Sequence, residues 1–388
     1  MAIPRPNPAP RVKVFTAFVA IIVSVVHVPF VVAAACFRRA IQTSEISFKS
    51  DLIRSLARNS TRGIPLNVQR KINRPKDLER VLGSNRFRHL RGNEICKDVL
   101  TEDFAGYWIC QGSLESKQSP SKSDVVIFWI HGGGYVLGHP LQPLAAMLHI
   151  AQGMEAHHNL SVSIFALEYT LAPEAALPTQ QNQALSAYTY LIKDLFIDPS
   201  KIVVLGESAG GHLALTLLCG IAERNIPKPQ GACLICPWVN LANTGASFAR
   251  NAHKDILRKP FLDWCADVVM PSSLRQQDSK YDHLLNFAVP SPNGRRWAAV
   301  LPPSTWVSVG LHDMFLDDIR SFVRYAAAEG AKIVLETGAK MPHGWPMMLD
   351  VLAEKDYLSI PRGEDVTGVM KGAEIILKAL VDVRLNHS

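Results

Sequence analysis

Lys201-Ile202-Val203-Val204-Leu205-Gly206-Glu207-Ser208-Ala209-Gly210 is the stretch on which the fold turns. Its apolar, β-branched run reads as a buried strand, and a G-x-S-x-G pattern follows at once. A Ser in that pattern sits on a sharp turn from strand into helix, where small flanking residues let two backbones pass closely. Upstream, a second strand-like run, Asp124-Val125-Val126-Ile127-Phe128-Trp129-Ile130, ends in His131-Gly132-Gly133-Gly134-Tyr135. Glycine N–H groups in such a loop can face a developing oxyanion. Either pattern alone is modest evidence. Both together, in this order and each behind a strand, point to ester chemistry with a serine nucleophile.

The partners of such a serine follow in the order acid, then His. Asp313 comes just after the apolar run Thr305-Trp306-Val307-Ser308-Val309-Gly310. His343 comes after Lys332-Ile333-Val334-Leu335-Glu336, inside Met341-Pro342-His343-Gly344-Trp345. The expected roles are Ser208 as nucleophile, His343 as proton carrier and Asp313 as the acid that orients it. The amides of Gly132, Gly133 and Ala209 are expected to form the oxyanion hole. Asp317 and Asp318 stand as alternatives for the acid, and Asp313 could instead cap the helix that follows it. His131 reads as a residue that orients the glycine loop, Glu207 as a structural hydrogen-bonding group, and Tyr169 and Glu174 as braces of the sheet end. No step of this chemistry needs a metal or an organic cofactor.

The chain resembles the hormone-sensitive-lipase-like branch of the α/β-hydrolase carboxylesterases. The resemblance rests on His131-Gly132-Gly133-Gly134, Tyr169-Thr170-Leu171-Ala172-Pro173-Glu174, Gly206 to Gly210, Asp313-Met314-Phe315-Leu316-Asp317 and His343-Gly344-Trp345. In the acid loop Leu stands one place late, and Trp345 replaces the usual Phe. The likeness spans roughly residues 100 to 380. It implies an α/β-hydrolase fold, a mostly parallel sheet flanked by helices, under a helical cap. Steryl acetyl hydrolases offer a functional analogy, since they pair this type of domain with an N-terminal membrane segment.

The formal charge of +7 is unevenly spread: residues 1–100 hold 18 Lys/Arg against 6 Asp/Glu, the remainder 23 against 28. The basic excess is therefore N-terminal, and without interleaved aromatics or a recognisable module it does not indicate nucleic-acid binding. Residues 14–37 carry no charge and are flanked by Arg11, Lys13, Arg38 and Arg39. As a helix they would extend about 36 Å, enough to cross a hydrocarbon core of roughly 30 Å. The expectation is a single-pass membrane anchor, with the endoplasmic reticulum as its compartment. Ala33-Ala34-Ala35 also offers a cleavage site, which would make the enzyme secreted. The seven Cys show no zinc-ligand spacing, and Cys233 and Cys236 read as residues of a buried strand with thiols on opposite faces.

Four regions follow: a disordered Pro-rich tail over 1–13, the transmembrane helix over 14–37, a basic linker with cap helices over 38–100, and the hydrolase domain over 101–388. Within the last, strands are expected near 104–111, 124–130, 161–168, 201–205, 231–236, 304–310 and 331–336. Helices are expected near 141–156, 175–195, 209–223, 315–329 and 366–383. The Trp- and Phe-bearing stretch of about 240–300 breaks the alternation and reads as a lid insertion. The expected function is hydrolysis of a short-chain or acetyl ester of a lipophilic alcohol or natural product at a membrane. An acyltransferase or lactone-forming enzyme on the same scaffold stays open, as does a non-catalytic binding module. The presence of His343 speaks against the last, because gibberellin receptors, which resemble this family, lack that His.

Overall fold

The structure is a computed structural model that describes residues 5–7, 12–41, 44–72, 77–272, 281–290 and 294–385; the side chains of residues 14–25 are outside that description. Eight strands form one sheet: β1 (Lys97–Leu100), β2 (Ala105–Cys110), β3 (Val125–Ile130), β4 (Val162–Glu168), β5 (Ile202–Glu207), β6 (Gly231–Ile235), β7 (Ser304–Gly310) and β8 (Ile333–Gly338). Their order is β1-β2-β4-β3-β5-β6-β7-β8. β1 and β2 pair antiparallel, as do β2 and β4, and every pairing from β4 through β3 to β8 is parallel.

The helices are α1 (Val14–Ile41), α2 (Phe48–Asn59), α3 (Leu66–Ile72), α4 (Asp77–Leu82), α5 (Leu144–His158), α6 (Thr179–Thr189) and α7 (Ala209–Glu223). After β6 come α8 (Ser247–Arg250), α9 (Lys259–Val269), α10 (Trp297–Val300), α11 (Leu316–Ala328), α12 (Trp345–Asp350), α13 (Glu354–Ser359) and α14 (Lys371–Leu385). The central strands are continuous apolar runs because both sheet faces are covered. Along β3, Val126, Phe128 and Ile130 join the core under α6, α7 and α11, while Val125, Ile127 and Trp129 join the core under α5 and α14.

Every expected core strand and helix is present, with ends moved by a few residues. α6 begins at Thr179 and closes in a π-helical turn over Tyr190–Asp194. β1 was not expected: Lys97 and Asp98 make it polar, and only its pairing with β2 makes it a strand. The stretch 240–300, read as a lid, contributes Phe248, Leu262, Phe287 and Trp297 to the core. Phe287 meets His212 of α7, and Trp297 packs edge-on against Phe322 of α11 at 5.0 Å.

Among the described residues no helix is long and apolar enough to cross a membrane. α1 does cover residues 14–41, with Pro29 inside it, but half of the expected span consists of side chains outside the description. Most of the tail expected to be disordered also lies outside it. Residues 5–7 of that tail are docked: Arg5 pairs with Asp98 and Glu168 and stacks over Tyr107, and Asn7 donates to the Tyr169 carbonyl at 2.8 Å.

Candidate active site

The β5–α7 turn places Ser208 at φ 54°, ψ −118°, a conformation that L residues rarely adopt. Glycines on either side make it possible. A Cβ on Gly206 would lie 2.5 Å from the Gly210 carbonyl oxygen, and one on Gly210 would lie 2.2 Å from the Ile130 carbonyl oxygen. The G-x-S-x-G pattern is thus a packing requirement between the elbow and the end of β3. The Ser208 carbonyl accepts from His212 N and Trp238 N, and its own N–H donates to Ile235 O at 2.9 Å, which fixes the turn.

Three loops at the carboxyl end of the sheet bring Ser208, His343 and Asp313 together. Ser208 Oγ donates to His343 Nε2 at 2.8 Å, and His343 Nδ1 donates to Asp313 Oδ2 at 3.0 Å. Asp313 is fully buried, and its Oδ1 accepts from Phe315 N at 2.8 Å. The alternative acids are engaged elsewhere: Asp317 pairs with Arg250 at 2.7 Å and Asp318 accepts from Asn240 at 3.2 Å. The arrangement can make a hydroxyl nucleophilic by removing its proton and can hold the resulting imidazolium against a carboxylate.

The glycine loop crosses directly over the elbow, so close that a Cβ on Gly132 would lie 3.2 Å from Ser208 Cβ. His131 Nδ1 donates to Gly132 O at 2.8 Å while its ring stacks on Tyr169 at 4.3 Å, and Tyr169 Oη donates to His131 O. Burial drives the His131 pKa down to about 4, so it shapes the loop as a neutral ring. Burial raises the Glu207 pKa, and His343 and then the Gly132 backbone offset part of that shift. Glu174 is held by both arms of Arg70 from α3, at 2.6 and 2.8 Å.

Electrostatically the site is dominated by carboxylates. Burial is the largest single influence on His343 and would lower its pKa, but Asp313, Asp255 and Glu207 together outweigh it, and the value is held above the ordinary imidazole range. Asp255 had no motif to mark it in the sequence. It is fully buried, pushed up to about 6 by burial and by Asp313, and its backbone partners include His343 itself. Cys236, read as a strand residue, lies just past β6 at φ 44°. Its sulfur, Asp313 and His343 offer ligand atoms within 4.8 Å of one another. The set suits a metal poorly: burial and Asp313 keep the thiol protonated, and His343 Nδ1 is already committed to Asp313. A cavity of about 320 Å³ opens against His343, Gly132 and Gly133, with Trp129, Leu137, Ile256, Met347 and Met348 among its apolar walls.

The family model described as alpha/beta hydrolase fold matches residues 127–347. The chain is 27% identical over 238 residues to an acetyl-hydrolase of Streptomyces hygroscopicus, covering 61% of this chain and 73% of that one. It is 24% identical over 245 residues to an ethyl acetate hydrolase of Pseudomonas putida, covering 62% and 72%. A solved esterase of the bacterial hormone-sensitive lipase family superposes with a TM-score of 0.58 at 24% identity, covering 91% of this chain and 98% of that one. The chain therefore belongs to the alpha/beta hydrolase fold family, as a carboxylic ester hydrolase.

Proposed function

We propose that the protein hydrolyses a short-chain ester, acetyl first among them, of a lipophilic alcohol, through an acyl-enzyme on Ser208. The observation that carries this reading is the unbroken Ser208–His343–Asp313 relay beside the glycine loop. Ser208 Oγ attacks the carbonyl carbon as His343 takes its proton; His343 then returns that proton to the departing alkoxide, and water repeats the sequence on the acyl-enzyme. The N–H groups of Gly132, Gly133 and Ala209 receive the oxyanion. The apolar walls beside His343 support a lipophilic substrate, because burying each methylene there gains about 0.8 kcal/mol. Acetylated sterols, terpenoids and polyketides have the required chemistry.

The same reading places the enzyme at a membrane through α1, along which Val26, Val28, Phe30, Phe37 and Ile41 are exposed. An exposed apolar helix of this kind needs a partner surface, and a bilayer also concentrates lipophilic esters. The test is an ester panel of p-nitrophenyl acetate through laurate and an acetylated sterol in vesicles, run with Ser208→Ala. Short esters should be favoured, and Ser208→Ala should lose at least ~10³ of turnover. A folded Ser208→Ala protein that still turns over substrate rejects the assignment. Release of full-length protein from membranes by alkaline carbonate rejects the anchor.

A further inference from the structure

The loops carrying Asp313 and His343 are joined by more than their own hydrogen bond. The segment 251–256 lies between them. The Asn251 side-chain amide donates to Leu311 O at 3.1 Å and Asp313 O at 2.7 Å. Asp255 Oδ2 accepts from Met314 N at 2.7 Å, while its Oδ1 accepts from His343 N at 2.8 Å and Ile256 N at 2.7 Å. One buried carboxylate thereby ties the residue after the acid to the backbone of the histidine.

A second tier comes from far away in sequence. Arg54 of α2 donates through Nη1 to Lys254 O at 3.0 Å and through Nη2 to Lys340 O at 2.6 Å, and Nη1 lies 3.0 Å from His312 Nδ1. Burial and the neighbouring Arg54 and Lys254 lower the His312 pKa, which leaves that nitrogen free to accept. Arg58 donates to Asp255 O at 2.6 Å and Ala252 O at 3.4 Å. Lys254 and His312 directly precede Asp255 and Asp313 in the chain, and Lys340 stands three residues before His343. The buried residues of α2 are Asp51, Arg54, Ser55 and Arg58, none of them apolar. A helix that needed only to cover the body would dock with aliphatic side chains. Desolvated guanidinium groups are expensive and earn their place by fixing geometry.

We propose that α2 is a positioning element for the reaction: Arg54 and Arg58 clamp the 251–256 segment, and Asp255 in turn sets the separation of the acid and histidine loops. This rests on the reading of Ser208, His343 and Asp313 given above. Arg54, Arg58 and Asp255 touch neither substrate nor reacting atoms in this scheme.

The test uses full-length Arg54→Ala, Arg54→Lys and Asp255→Asn, with kcat and KM for p-nitrophenyl acetate and thermal melting of each. A misplacement of about 1 Å can cost on the order of 10²-fold, so Arg54→Ala should lose roughly 10- to 100-fold in kcat while KM stays within about 3-fold. Millimolar guanidinium should restore part of that loss, and Arg54→Lys should lose less, since an ammonium can reach only some of the same carbonyls. Asp255→Asn presents an amide N–H to Met314 N–H or His343 N–H and should lower kcat similarly. It should also move the acid limb of the pH–rate profile to lower pH, leaving Asp313 and Glu207 as the carboxylates and Cys236 as the thiol facing the His343 cluster.

A folded Arg54→Ala protein with wild-type kcat overturns the proposal, and so does a loss that guanidinium leaves untouched. If Arg54→Ala does not fold, Asp255→Asn decides: wild-type kcat with an unmoved acid limb overturns the clamp. Hydrolysis surviving Ser208→Ala would overturn the site reading itself, a distinct outcome.

Discussion

Asp313→Asn isolates what the buried acid contributes, because the substitution keeps shape and volume. Oδ1 would still accept from Phe315 N, so the turn into α11 should persist. On the other side, Nδ2 would face His343 Nδ1 across 3.0 Å. The ring must then present Nδ1 as an acceptor and carry its proton on Nε2, pointing at Ser208 Oγ. The base has become a donor. The charge lost matters as well. Two unit charges 3.0 Å apart in an effective dielectric of about 20 interact with on the order of 5 kcal/mol, lost to the imidazolium of the transition state. At 1.36 kcal/mol per decade that corresponds to roughly four decades of rate. The assay is kcat on p-nitrophenyl acetate with the rate of fluorophosphonate labelling of Ser208, and Asp317→Asn and Asp318→Asn as controls. Both controls should stay within about 3-fold, as surface changes and remote pairs usually do. If Asp313→Asn keeps a tenth of wild-type kcat, or Asp317→Asn loses as much, the acid has been misidentified.

Other outcomes follow from the same geometry. The imidazole must be neutral to accept the Ser208 proton, and its pKa is held up by Asp313, Asp255 and Glu207. The kcat/KM profile should therefore rise with pH through a value above the ordinary ~6.5 of histidine, and Glu207→Gln should move that limb down; a limb at or below ~6.5 contradicts the field described. Gly210→Ala drives a Cβ to 2.2 Å from the Ile130 carbonyl and should cost about 3 kcal/mol or more, read as a lowered melting temperature or insoluble protein. Met348→Trp should fill part of the 320 Å³ cavity and depress turnover of long esters relative to acetate; an unchanged chain-length profile would place the substrate elsewhere. A chain beginning at Arg38 keeps α2 with Arg54 and Arg58. It should leave the membrane fraction while retaining turnover of a water-soluble ester, and loss of that turnover would tie α1 to catalysis.

The parts of this protein legible in the sequence are those fixed by local pattern. β3 and β5 read as apolar runs because both faces are buried, and the small residues around Ser208 follow from the contact with Ile130. The order of the loops along a parallel sheet then puts Asp313 and His343 beside Ser208. What was hidden depends on pairings between distant segments. Asp255 reads as an ordinary polar residue in an irregular stretch; its carboxylate acquires meaning only when Met314 N and His343 N close on it. Arg54 and Arg58 read as surface cations of a basic linker, since nothing local announces that their partners lie between 194 and 286 residues onward.

The clustering of Asp313, Asp255 and Glu207 around one imidazole has a consequence for catalysis. Three enclosed carboxylates repel one another, and each costs free energy to desolvate. Asp255 is compensated by three backbone N–H groups, and the burial of Glu207 is offset in part by His343 and then by the Gly132 backbone. Those bonds orient the carboxylates before the reaction begins, so no reorganisation is needed when positive charge forms on His343. The same field makes His343 a more reluctant donor of its proton to the leaving alcohol and a stronger acceptor from Ser208. Its benefit is therefore greatest for esters whose acylation step is limited by deprotonation of the serine rather than by expulsion of the alkoxide. Among esters of equal acyl length, the advantage of the wild type over Glu207→Gln should accordingly shrink as the alcohol becomes a poorer leaving group.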